Sequence, residues 1–236
     1  MTDPRNRLIV ALDAPDLKEA LRLLKTLKGR VDWFKIGSQL YTAEGPAIAR
    51  AVKEAGAKVF LDLKFHDIPA TVARACRSAM TLGVDMLNVH ALGGGAMMRA
   101  AAEEVAREPE AKRPIVIAVT VLTSMGADDL EQVGIAGPVD SRVIRLAGLA
   151  KDSGLAGVVA SANEVAAIKA ACGAGFITVT PGIRPGWAAA DDQKRVATPA
   201  EALHGGADYL VVGRPIIAAA DPEAAAERTL EEMARA

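Results

Sequence analysis

Aromatic residues are scarce in this chain: two Trp, two Tyr and four Phe among 236 residues. A surface that stacks unpaired bases needs several aromatic faces, so a single-stranded nucleic-acid platform is excluded as a reading. An excess of one charge is lacking too, with 28 Lys and Arg against 29 Asp and Glu scattered along the sequence. No basic stripe for a phosphate backbone results, and the expected partner is a small molecule, not nucleic acid. The two cysteines, Cys76 and Cys172, lie far apart in helix-like segments. They indicate neither a disulfide framework nor a cysteine metal site, and a reducing cytoplasm fits them. No apolar run approaches the roughly 18 residues of a membrane span. The opening M-T-D-P-R-N-R carries no apolar signal core, so neither secretion nor a membrane location is expected.

What the chain has is a regular beat. Apolar runs rich in β-branched residues fall at 8–12, 31–36, 58–63, 84–90, 115–121, 155–160, 176–180 and 208–212. Between them lie Ala, Leu, Glu, Lys and Arg at helical spacing, as in Leu17–Leu27 and 138–151. Glycines 29, 56, 83, 154 and 206 each sit just before a strand, where a helix should end. Eight strands alternating with helices predict a closed (β/α)8 TIM barrel, a single catalytic domain over 1–236. In that architecture ligands bind at the C-terminal ends of the strands.

The charges gather at those ends. Asp13 closes the first run, Lys35 the second, and D-L-K-F-H-D at 62–67 the third. In a strand, side chains alternate faces, so Asp62 and Lys64 share a face with Phe60. An Asp/Lys pair at a strand end is commonly a solvated ion pair worth under about 1 kcal/mol. Three successive runs ending in charge argue instead for a site in which Lys35, Asp62, Lys64 and Asp67 alternate in sign. A lysine beside a carboxylate that repels a substrate anion can deliver a proton where negative charge develops, which suits a carbanion-forming reaction. Asp67 also precedes Pro69, which suits a first helical turn, so it is a candidate helix N-cap as well.

The last two strands run into T-P-G-I-R-P-G-W (180–187) and V-G-R-P (212–215). Glycines with Arg184 and Arg214 beside them fit the phosphate cradle that barrels build after strands seven and eight. The stretch from there to Pro199 has no strand or helix period and is expected to be a lid or disordered, with Gln193 in it offering a donor and an acceptor to a ligand. At the mouth of the fifth strand, Thr123 and Ser124 both offer hydroxyls to a heterocycle edge. His90 is expected to be a satisfied barrel histidine, since nothing near it in sequence orients it as a catalyst. A metal on Asp62, His66, Asp67 and His90 is disfavoured because Lys64 stands between them, and no metal is expected.

These elements resemble the orotidine 5′-phosphate decarboxylase family. The likeness spans essentially the whole chain through A-L-D (11–13), F-K-I-G (34–37), L-D-L-K-F-H-D-I-P-A-T (61–71), V-L-T-S-M (121–125), P-G-I-R-P (181–185) and V-G-R-P (212–215). The resemblance implies decarboxylation of orotidine 5′-phosphate (OMP) to UMP in pyrimidine synthesis, without a cofactor. It implies that Lys64 protonates C6, that Asp62 lies against the departing carboxylate, and that Lys35 and Asp67 complete the network. Asp67 and Thr71 would come from the neighbouring subunit of a homodimer with shared sites. Asp13 would bind the ribose hydroxyls, Thr123 the pyrimidine, and Arg184, Gln193, Gly213 and Arg214 the phosphate or the closed lid. A rival in the same barrel group is a magnesium-dependent sugar-phosphate lyase. That group ends its second strand in an acidic residue, where this chain has Lys35. A non-catalytic binder of phosphoribosyl ligands is the alternative from another class; it would have no use for Lys64.

Overall fold

The computed structural model describes residues 3–188 and 196–236. Eight parallel strands close on themselves in sequence order: β1 (Leu8–Ala11), β2 (Trp33–Gly37), β3 (Lys58–Phe65), β4 (Met86–His90), β5 (Ile115–Val119), β6 (Gly157–Val159), β7 (Ile177–Thr180) and β8 (Tyr209–Val212). The ring shuts where β8 pairs with β1, Val211 opposite Ile9. The helices of the first half are α1 (Leu17–Leu27), α2 (Ser38–Glu44), α3 (Pro46–Glu54), α4 (Pro69–Met80) and α5 (Gly94–Ala106). Those of the second half are α6 (Ala127–Gln132), α7 (Val139–Asp152), α8 (Ala162–Cys172), α9 (Pro199–His204), α10 (Arg214–Ile217) and α11 (Pro222–Ala234). This is the (β/α)8 barrel that the alternation of runs predicts.

Strand alternation divides the apolar residues between two cores. Val10, Phe34, Leu61, Leu87 and Ala118 face outward and pack under the helices. Ile9, Ala11, Trp33, Phe60, Met86, Ile117, Val179 and Val211 face inward and fill the barrel. Trp33, Phe60 and Met86 are the bulkiest of these, and the smaller Ala11 and Val211 line the space left at the upper end.

Several strands begin about two residues later than their apolar runs. Val31, Val84, Leu155 and Phe176 are 3 to 7% exposed, but they lie ahead of the ladder, beneath the helix layer. Side chains take over the bonding at two of these entries. The Asp85 carboxylate accepts from the Val59 N–H at 2.7 Å and pairs with Lys53 of α3. Four strands further on, Asp208 accepts from the Thr178 N–H at 2.7 Å and pairs with Lys169 of α8. The same brace ties helix to strand in each half of the barrel. The five glycines expected at the helix ends all have positive φ, from 69° to 96°, which lets the chain reverse into the next strand.

Candidate active site

A cavity of about 280 Å³ opens at the C-terminal ends of the strands. Of the residues expected in a site, Asp13, Lys35, Asp62, Lys64, Thr123, Arg184, Gly213 and Arg214 line it. Its charged wall spans β1 to β3. The Lys64 ammonium donates to Asp62 Oδ1 at 2.7 Å, and Lys35 Nζ lies 3.4 Å from Asp62 Oδ2 and 3.3 Å from Asp13 Oδ1. The order Lys64, Asp62, Lys35, Asp13 thus alternates in sign. The side chains of Lys35 and Asp62 are only 11% and 13% exposed. Removing a carboxylate from water costs several kcal/mol, which the flanking ammonium groups offset. Gly37 completes the packing: a Cβ on it would come within 3.0 Å of Lys35 Nζ, so a bare backbone leaves the ammonium its place.

Sequence reasoning missed one member of this wall. Asn88 of β4 is fully buried, donates from Nδ2 to Asp62 Oδ1 at 2.7 Å, and accepts from the Lys64 backbone N–H at 2.7 Å. Its setting is a break in the sheet. Leu61 pairs with Leu87 and Phe65 with Val89, so residues 62–64 of β3 stand opposite Asn88 alone. Lys64 absorbs the surplus with φ of 51°, the one positive φ among described residues other than glycine. Such a conformation in a residue with a Cβ costs about 1–3 kcal/mol and persists only where neighbours hold it. The signal in sequence was slight: an amide at an inward position between the apolar Leu87 and Val89.

The other wall comes from the loops after β7 and β8, which bring Arg184 and Arg214 to the same cavity. The stems of the loop after β7 are tied together where Arg184 N–H donates to the Ala197 carbonyl at 2.9 Å. The loop base also meets α11. Gly186 N–H donates to Glu232 at 3.2 Å, and the Arg228 guanidinium lies 4.5 Å over the Trp187 ring. Gln193 falls outside the described residues. Thr123 lines the cavity and Ser124 does not.

Asp67 and Thr71 do not line this cavity. Asp67 is exposed, and its carboxylate accepts from the Ile68 N–H at 2.6 Å. It is not the N-cap of α4. Pro69 opens that helix, which makes Ile68 the capping residue and leaves Asp67 one position too early. Within one chain, therefore, the alternating network contains Asp13 in place of Asp67. His90 is a structural neighbour of the wall: its Nδ1 accepts from the Leu92 N–H at 3.3 Å, and its ring stacks on His66 at 5.4 Å between centroids. Burial, then the nearby His66 and Lys64 charges, push its pKa down to about 4. Among the described residues, no three His, Cys, Asp or Glu side chains gather as a metal-ligand set.

The sequence matches the orotidine 5′-phosphate decarboxylase / HUMPS family over residues 6–229. The chain belongs to that family. Orotidine 5′-phosphate decarboxylase of Trichlorobacter lovleyi is 53% identical over 232 residues, 98% of this chain and 96% of its own length. That of Carboxydothermus hydrogenoformans is 55% identical over 229 residues, 96% and 95% of the two chains. Among solved structures, orotidine 5′-phosphate decarboxylase from Lactobacillus acidophilus superposes with a TM-score of 0.86 at 37% identity, covering 97% of this chain and 99% of its own.

Proposed function

We infer that the protein is an enzyme of pyrimidine biosynthesis that decarboxylates OMP to UMP and CO₂. The observation that carries this is the pairing of two walls on one cavity, an alternating Lys64–Asp62–Lys35–Asp13 row facing Arg184 and Arg214. The arginines hold the phosphate, with Gly213 and Gln193 beside them. Asp13 takes the ribose hydroxyls, and Thr123 the pyrimidine edge. The substrate carboxylate then lies against Asp62. As CO₂ leaves, the electron pair of the broken C–C bond stays on C6, and the Lys64 ammonium gives that carbon its proton. Phosphate binding, remote from C6, supplies energy that holds the carboxylate in this unfavourable place.

The working unit is a homodimer in the cytoplasm, each site completed by Asp67 and Thr71 of the other subunit. Supporting this, Asp67 lies outside its own cavity and is followed by Ile68, an apolar side chain 65% exposed. The barrel over 1–236 is one catalytic domain, and it needs no metal. The magnesium-dependent members of the barrel group require an acid at the end of β2, where Lys35 would repel the cation.

The deciding experiment follows the absorbance of OMP in the presence of purified protein, with and without EDTA, beside Lys64→Ala. Turnover indifferent to EDTA and lost in K64A is expected. Turnover that EDTA abolishes would favour the lyase reading, and binding of OMP without turnover the binder.

A further inference from the structure

We propose that Asn88 is a positioning residue for the decarboxylation, fixing through one side chain both the carboxylate of Asp62 and the backbone from which Lys64 extends. The inference rests on the reading of Lys64 as proton donor. Its physical basis is the break between β3 and β4. Where the ladder fails, residues 62–64 have a single residue of β4 opposite them, and the Asn88 side chain replaces the lost bonds. Its carbonyl oxygen takes the Lys64 N–H at 2.7 Å, and its amide donates to Asp62 Oδ1 at 2.7 Å. That same Oδ1 receives the Lys64 ammonium at 2.7 Å.

Each contact constrains a different degree of freedom. The bond to the backbone N–H holds Lys64 at φ 51°, which a residue bearing a Cβ abandons when it is released. The bond to Oδ1 sets the rotation of the Asp62 carboxylate, and therefore the direction from which the Lys64 ammonium is held. Asn88 is fully buried and does not line the cavity, so it acts on the reaction only through these two residues. An amide suits the place because it offers one donor and one acceptor without charge. A carboxylate there would face the Asp62 carboxylate, and an aliphatic chain would leave the Lys64 N–H unpaired.

The test uses Asn88→Ala and Asn88→Asp in the full-length enzyme. A misplacement of about 1 Å costs on the order of 100-fold in rate, so N88A is expected to lose about that much in kcat while UMP affinity, read by calorimetry, stays within about threefold. N88D adds a signature that mere space-filling does not give. Protonated, the introduced carboxyl presents an O–H donor and a C=O acceptor, as the amide does; ionised, it repels Asp62. Its rate relative to the unsubstituted enzyme is expected to rise at least fivefold from pH 8 to pH 5.5. Should N88A fail to fold, this ratio decides alone. The proposal is overturned by kcat in N88A within threefold of the parent, by kcat and UMP affinity falling together, or by an N88D ratio flat across that range. Lys64→Ala, assayed alongside, separates the two ideas. A K64A enzyme that keeps its rate removes the proton donor, whereas a dead K64A beside a fully active N88A removes Asn88 alone.

Discussion

His90 gives the protein an acid sensitivity that the structure sizes. Its pKa lies near 4, against an ordinary 6.5, because burial, and then the His66 and Lys64 charges, disfavour the imidazolium. As pH falls below 6.5 the unfolded chain takes up this proton and the folded chain does not, so stability drains away between pH 6.5 and pH 4. Linkage gives a loss of about 0.1 kcal/mol at pH 7.5, about 0.8 at pH 6 and about 2 at pH 5. His90→Asn keeps an acceptor for the Leu92 N–H but cannot titrate. Urea unfolding of both proteins at the three pH values reads this term together with its coupling to His66 and Lys64, since titrating groups that do not interact with His90 cancel in the difference. The unsubstituted protein is expected to lose about 2 kcal/mol relative to H90N between pH 7.5 and pH 5. A difference constant to within about 0.5 kcal/mol would refute the reasoning and put the histidine in a solvated setting.

Arg214→Ala is expected to weaken UMP binding by 10- to 100-fold, the worth of a charge-assisted phosphate bond at about 1.5–3 kcal/mol, and to lower kcat with it; unchanged UMP affinity in calorimetry would move the phosphate elsewhere. Asp62→Asn should lower kcat at least 100-fold yet bind OMP more tightly, by up to about a thousandfold, since like charges about 4 Å apart repel by about 4 kcal/mol at an effective dielectric constant of 20. UMP lacks the carboxylate and should bind unchanged; parallel shifts for both ligands would argue against repulsion. Co-expressed Lys64→Ala and Asp67→Ala chains should regain about a quarter of the parental activity, because a random mixture is half mixed dimers, each with one intact site. Mixed dimers seen by mass spectrometry but as inactive as either parent would return Asp67 to its own chain.

The barrel was legible because inward and outward residues alternate along short β-branched runs, and because glycine marks five of the returns. Strand starts were less so: Val31 and Val84 are as apolar as ladder residues, but they pack beneath helices, and hydrophobicity alone does not separate the two places. In the site, Lys35, Asp62 and Lys64 stood out since charge is costly at an inward position, whatever the neighbouring strands do. Asp67 as an N-cap failed on a single residue, because Pro69 fixes the cap at Ile68. Asn88 was hidden for a deeper reason. Its partners are 24 and 26 residues away and reach it only through an irregular register, and strand periodicity assumes a regular one. Local rules break where β3 leaves its ladder, and the Lys64–Asp62 pair lies there.

On the proposed reading, the charges around the cavity treat the two anionic ends of OMP differently. On the side of β7 and β8, Arg184 and Arg214 carry two formal positive charges, matching a phosphate dianion. On the side of β1 to β3, Asp13 and Asp62 balance Lys35 and Lys64 within one chain, so the substrate carboxylate enters a row without excess positive charge, to which Asp67 of the other subunit in the proposed dimer adds one negative charge more. It meets a Lys64 engaged by Asp62, with no cation of its own. Loss of CO₂ leaves that total unchanged, since a neutral molecule departs and the negative charge moves to C6. Proton transfer then yields a neutral carbon and a neutral amine, again without altering the sum. What changes is the company the charge keeps: next to Asp62 before the bond breaks, next to the Lys64 ammonium after it. A site that works by exchanging neighbours at constant charge depends on holding them apart in fixed positions, and the strained backbone of Lys64 with the two bonds of Asn88 supplies that rigidity.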